Sequence, residues 1–149
     1  MLMPAMDRTP SGDSSVEQMD AGAVFYVNNS TANLLTGAIG GSNGNDGLSP
    51  LTPFATVDFA VGQCLGSRGD TIYVMPGHAE TFTAAAGIDA DVAGIEIVGI
   101  GSGTNRPTFN FTTAVGADAD IDAANITFKN LYFDLTGIDN LTAPLDVNS

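Results

Sequence analysis

Two stretches decide how this chain folds: Ile88-Asp89-Ala90 followed by Gly94-Ile95-Glu96-Ile97-Val98-Gly99-Ile100, and Ile121-Asp122-Ala123 followed by Asn125-Ile126-Thr127-Phe128-Lys129-Asn130-Leu131. Set one above the other, they share a pattern: Ile-Asp-Ala, a short gap, then Gly or Asn, apolar, any, apolar, any, Gly or Asn, apolar. The first element recurs after 33 residues and the second after 31. A partial third copy starts at Leu145-Asp146-Val147-Asn148, 24 residues beyond Ile121. Repeats of this length mark units that cannot bury an apolar face alone and do so by stacking on their neighbours. The apolar residues alternate with a period of two, so each copy reads as short strands with one face inward. Gly and Asn tolerate the left-handed backbone that a corner between strands requires. The inward side chains are expected to be Ile95, Ile97, Ile126 and Phe128, with Ile100, Leu131 and Phe133 following the corners at Gly99 and Asn130.

Working outward, three more runs have strand character: Ala23 to Val27, Asp70 to Met75 closed by Pro76-Gly77, and Pro107 to Phe111. Their β-branched and aromatic content suits a pleated, half-buried surface. A β-sandwich would connect such strands by two-residue hairpin turns, and turns of that type are hard to find here. The repeat therefore favours an all-β fold, a short right-handed parallel β-helix (solenoid). Residues 1–22, rich in Met, Ser, Asp and Pro without periodicity, read as a flexible N-terminal arm, and 23–149 as a single domain. Residues 28–53, including GGSNGNDGLSPLTP, form a long loop built on turn formers, a surface or contact feature. Thr56 can cap a short helix running from Val57 through Phe59, Ala60, Val61, Cys64 and Leu65 to near Gly66. Such a helix is suited to covering the open end of a stack of strands.

Charge narrows the partners. The 149 residues carry 17 acidic side chains against 4 basic ones, Arg8, Arg68, Arg106 and Lys129, for a formal net charge of −13. Phosphate recognition needs clustered Lys or Arg, so the balance argues against nucleic acid, and the same field repels anionic membrane surfaces. A basic protein surface is the complementary partner. No stretch approaches the length of a membrane span, and the N-terminus lacks the basic and apolar regions of a secretory signal. Cys64, the single cysteine, lies in an apolar stretch and reads as a buried structural thiol.

The runs FYVNNS, GNDGLSPLTPFATVDFAV, GDTIYVMPGHAETF, GIEIVGIGSGTNRPTFNF and ANITFKNLYF resemble the opening of pectin-lyase-like right-handed β-helix proteins. They are most similar to the non-enzymatic kind encoded among tailed-phage virion genes. The likeness spans roughly residues 23 to 148. It implies a virion structural protein, most plausibly a capsid decoration or cement protein on the head surface, in contact with the major capsid protein or another virion protein. Trimers are common among similar proteins, so it also implies a homotrimer. Proteins of this kind usually continue through further coils, whereas this chain stops at Ser149, and an uncovered last coil would call for oligomerisation or docking. A tail-associated glycan-binding adhesin is the second reading and a polysaccharide-cleaving enzyme the third.

The candidate chemistry is thin, and no cofactor, catalytic residue or metal ligand is assigned. A lyase of the resembling kind needs a carboxylate cluster for calcium beside a Lys or Arg base. No two of Arg68, Arg106 and Lys129 are expected at matching positions of adjacent coils. A glycoside hydrolase needs paired carboxylates across a groove. Asp118, Asp120 and Asp122 alternate along one strand at roughly 7 Å intervals, but Ala, Gly and Ile surround them where aromatic platforms would be expected, so an acidic solvated or interface-facing strip is the preferred reading. His78 has no Ser or Cys nucleophile in a recognisable motif and reads as a turn residue or a partner of Glu80. The Gly-rich stretch 37–47 lacks the Gly-Lys-Ser/Thr ending of a phosphate loop.

Overall fold

The computed structural model describes residues 21–32, 34–112, 116–136, 138 and 143–148. The expected N-terminal arm falls, but for its last two residues, outside them. Strand content dominates: β1 (Val24–Val27), β2 (Thr71–Val74), β3 (Ala79–Phe82), β4 (Asp89–Ala90), β5 (Glu96–Gly99), β6 (Thr108–Phe111), β7 (Ala119–Ile121), β8 (Thr127–Lys129), β9 (Tyr132–Asp134) and β10 (Leu145–Val147). Among the described residues helix is confined to α1 (Val57–Val61) and a 3₁₀ turn at Gly103–Asn105. The strands form three sheets in the orders β1-β2-β5-β8, β3-β6-β9 and β4-β7-β10. Every paired strand runs parallel to its neighbour. The fold is thus all-β with parallel sheets, and the hairpins of a sandwich are missing among the described residues.

The chain visits the three sheets in turn, as the triplets β2-β3-β4, β5-β6-β7 and β8-β9-β10. Parallel pairing brings equivalent residues into columns. Phe25, Ile72, Ile97 and Phe128 stand in one column of the first sheet, and Phe109 pairs with Phe133 in the second. The rings of Phe82, Phe109 and Phe133 stack at 5.7 and 5.5 Å between successive centroids. Ile72, Val74, Ile88, Ile95, Ile97 and Phe109 are wholly buried between the sheets. Removing such apolar surface from water at about 25 cal/mol per Å² is the main term that offsets the entropy of ordering so many short strands.

Burial thins toward the last triplet. Ile126, Phe128, Leu131 and Phe133 are only partly buried, and Tyr132, Leu145 and Val147 are exposed, Val147 at 59%. β8, β9 and β10 each end their sheet, so among the described residues one edge of each is unpaired by another strand. The opposite end is covered differently. α1 packs on β1, β2 and β4, burying Val57, Ala60 and Val61, and its Asp58 Oδ1 accepts the N–H of Asp89 at the edge of β4.

Several sequence expectations need correction. The helix ends at Val61, well short of Gly66, and Leu65 is 57% exposed. The cause is competition for its backbone: the N–H of Leu65 donates to the Asp70 carboxylate at 2.8 Å and so cannot close a helical turn on Val61. Ile100 is exposed because the inward positions are Ile95, Ile97 and Gly99, and alternation carries straight through that corner. Gly99 itself serves space, not a left-handed turn. A Cβ there would overlap the carbonyl oxygen of Asn130, whereas Asn130 is the residue with positive φ, at 52°.

The repeat register also differs from the Ile-Asp-Ala alignment. Asp89 pairs with Asp120 and Ala90 with Ile121, so the offset is 31 in both elements; β10 follows with Asp146 on Asp120 and Val147 on Ile121. The N–H of Thr127 donates to the Ile95 carbonyl and that of Gly94 to the Ala124 carbonyl, which locks the 31-residue step at the neighbouring corner. A two-residue shift preserves which face points inward, so the hydrophobic pattern alone does not choose between the two alignments.

Candidate functional site

Parallel pairing turns a repeated Asp into a column. Asp89, Asp120 and Asp146 lie at consecutive register positions of β4, β7 and β10, between inward Ile88 and Ala90 in one strand and Ala119 and Ile121 in the next. Adjacent strands are about 4.8 Å apart, so the three carboxylates stack at roughly that spacing on the outer face of the sheet. Asp91 and Asp122 occupy the corners that follow β4 and β7, and Asp58 of α1 extends the acidic surface past β4.

The crowding has electrostatic consequences. The carboxyl of Asp120 is held above the ordinary Asp range, first by partial desolvation and then by the charges of Asp118, Asp122, Asp146 and Asp89. Asp89 shifts the same way, through desolvation and the neighbouring Asp91, Asp122 and Asp58. Its Oδ1 is buried without a hydrogen-bond partner. The described basic side chains are engaged elsewhere: Arg68 with Asp70, Lys129 with Glu96 on the first sheet, and Arg106 over the ring of Tyr132. Among the described residues the column therefore carries concentrated negative charge with no Lys or Arg paired to it.

The sequence had singled out Asp118, Asp120 and Asp122 as a row along one strand. Only Asp120 belongs to β7. Asp118, just before β7, accepts the N–H of Ala86 on its Oδ1 at 2.6 Å, and Asp122 stands at the corner, where the Asn148 amide reaches it at 3.4 Å. The acidic row runs across strands, through Asp89 and Asp146, which sequence reasoning missed. The 31-residue spacing from Asp89 to Asp120 was the available signal. Among the described residues no group of three or more His, Cys, Asp or Glu side chains is arranged to hold a metal ion.

A second cluster is buried at the first triplet. The His78 ring is 1% exposed, and its Nε2 lies 2.8 Å from Glu80 Oε1. Its Nδ1 accepts the backbone N–H of Asn29 at 3.0 Å, which places the ring proton on Nε2, donated to Glu80. The same Glu80 oxygen accepts the N–H of Val57, the first residue of α1, at 2.8 Å. Asn29 clasps Ala79 with its side chain, Oδ1 accepting the Ala79 N–H at 2.9 Å and Nδ2 donating to the Ala79 carbonyl. His78 is thus the partner of Glu80 that its spacing suggested, and its ring bonds go to Glu80 and a backbone amide.

Two further polar groups are structural. Asp70, fully buried, takes two bonds from the Arg68 guanidinium and one each from the N–H groups of Ala23 and Leu65. Cys64 is buried and directs its thiol to the Ala60 carbonyl. Burial, reinforced by the nearby Asp70 charge, pushes its pKa up to about 12. No helix among the described residues is long and apolar enough to cross a membrane. No family model, no curated protein and no solved structure matches the chain.

Proposed function

We propose that this chain is a short right-handed parallel β-helix that serves as a non-enzymatic structural protein of a tailed-phage virion, a capsid decoration or cement protein working as a homotrimer on the head surface. The observation that carries the reading is the last triplet, β8-β9-β10. Among the described residues no further strand pairs with its outer edges, and Tyr132, Leu145 and Val147 are exposed beside the half-buried Phe128 and Phe133. An end of this kind gains from a partner that supplies strand pairing and apolar cover. The return of the chain to three parallel sheets in a fixed order supports the β-helix, since stacked coils produce that order. The acidic column of Asp89, Asp120 and Asp146 supports a protein partner with a basic contact surface.

Separating heads from tails of the corresponding particles and analysing each by mass spectrometry tests the location. The protein is expected with the heads. Recovery from tails alone would overturn the cement reading in favour of a glycan-binding adhesin. Sedimentation of the purified chain tests the assembly: a trimer is expected, and a stable monomer at micromolar concentration contradicts the argument from the exposed edges.

A further inference from the structure

We propose that His78 and Glu80 form a proton-operated latch that holds Asn29 over the edge of β3 and lets it go on acidification. His78 is the single histidine of the chain, and both of its ring nitrogens are committed. Nδ1 must be an acceptor to receive the Asn29 N–H, while Nε2 must be a donor to reach Glu80. A second proton on the ring would turn Nδ1 into a donor aimed at another donor. In a buried setting that leaves two N–H groups unsatisfied, at a cost of about 1–3 kcal/mol each.

The surroundings decide which bond breaks. Glu80, two residues on in β3, is the titratable group in contact with the ring. β6 presents the Phe109 ring, 6.0 Å away between centroids, and the segment after β1 presents the uncharged Asn28 and Asn29. α1 offers the Val57 N–H to Glu80 and turns Asp58 away to Asp89. On the β2 side, the Met75 carbonyl receives the His78 N–H. An imidazolium therefore keeps its bond to Glu80 and loses the one to Asn29. A proton on Nδ1 and acceptance of the Asn29 N–H exclude each other at that nitrogen, so the doubly protonated ring is compatible with the open arrangement and opposes the latched one.

Opening also frees what Asn29 covers, because its amide occupies the N–H and carbonyl of Ala79 at the outer edge of β3. The rest of the segment has a separate anchor. Phe54 bridges to Val27, donates its N–H to the Tyr26 carbonyl and accepts from Asn28. The device is accordingly local, a strand edge uncovered by acid while the neighbouring bridge holds.

Amide hydrogen exchange corrected for intrinsic rates, together with ¹⁵N spectra of the single imidazole, tests this between about pH 7.5 and about pH 5. Expected are the Nε2–H tautomer at the higher pH, a drop of about tenfold or more in Asn29 protection as the ring takes its second proton, and unchanged protection at Phe54. In His78→Gln, Asn29 protection is expected to be the same at both ends of the range. The proposal is overturned by an Nδ1–H tautomer, by Asn29 protection that ignores pH in the native protein, or by pH-dependent loss that survives in H78Q. Should H78Q not fold, the native titration decides alone: coincident midpoints for ring protonation and Asn29 opening support the latch, and midpoints more than about one pH unit apart overturn it.

Discussion

Asp89 and Asp120 face each other across the parallel pair β4–β7, two carboxylates at one register position with Asp146 at the next. Like charges directly opposite in a sheet weaken it, by about 0.2–1 kcal/mol per pair. The surrounding fold tolerates this because Ile88, Ala90 and Ala119, on the other face of the same strands, are wholly buried.

Replacing one member should relieve the repulsion. Asp120→Asn is expected to stabilise the protein at pH 7 by about 0.2–1 kcal/mol. The folded-state pKa of Asp120 lies above its unfolded value of 3.8, so its ionised form is disfavoured in the fold. That penalty is full above the folded pKa and fades as the pH falls through it. Thermal melts should therefore show the advantage of D120N at pH 7 and its loss once the pH falls below the unfolded value of 3.8; a variant less stable than the native chain at pH 7 would contradict the repulsion.

Asp70 should behave in the opposite sense. Burial works to raise its pKa, but the Arg68 guanidinium and the N–H groups of Leu65 and Ala23 outweigh it and hold the carboxyl below 3.8. Its contribution is present above the unfolded pKa and is lost as the pH falls through the lowered folded value. Asp70→Asn leaves Arg68 facing an uncharged amide and is expected to cost about 3–5 kcal/mol, read from urea denaturation at pH 7.

Gly99→Ala probes the corner. The added methyl would meet the Asn130 carbonyl oxygen and a δ-carbon of Leu131. Backbone cannot move aside as a flexible side chain can, so a loss of about 1–3 kcal/mol is expected in the same denaturation experiment. Gly103→Ala is a useful contrast: its Cβ would meet open space, so any loss there comes from positive φ alone.

Cys64 should be inert in the folded state. With its pKa pushed up to about 12, almost no thiolate exists at pH 8. Iodoacetamide is expected to label it only in denaturant, and rapid labelling of the native protein would contradict its burial.

Much of the strand framework was legible because it rests on local pattern. The alternation at Ile95 and Ile97, the capping Thr56, and the strand runs at 24–27, 71–74 and 108–111 are all properties of neighbouring residues. β3 was harder to see, since a four-residue strand with Ala, Glu and Thr lacks a distinctive signature, while β4 and β7 were legible as strand segments without their pairing. Their hydrogen bonds come from partners some 30 positions away, which no local reading supplies.

The candidate site divides along the same line. The sequence by itself determined an excess of acid, an alternating apolar pattern and a repeat near the right length, because charge and periodicity are carried by the residues themselves. It left the offset open between 33 and 31, since a slip of two residues keeps every side chain on its own face. Only the tertiary structure set Asp89 on Asp120 and Asp146, and only it brought Asn29 and Val57 to His78 and Glu80 across 49 and 23 positions of sequence. Register and burial are chosen by backbone bonds between distant strands, and those bonds exist only once the chain has folded.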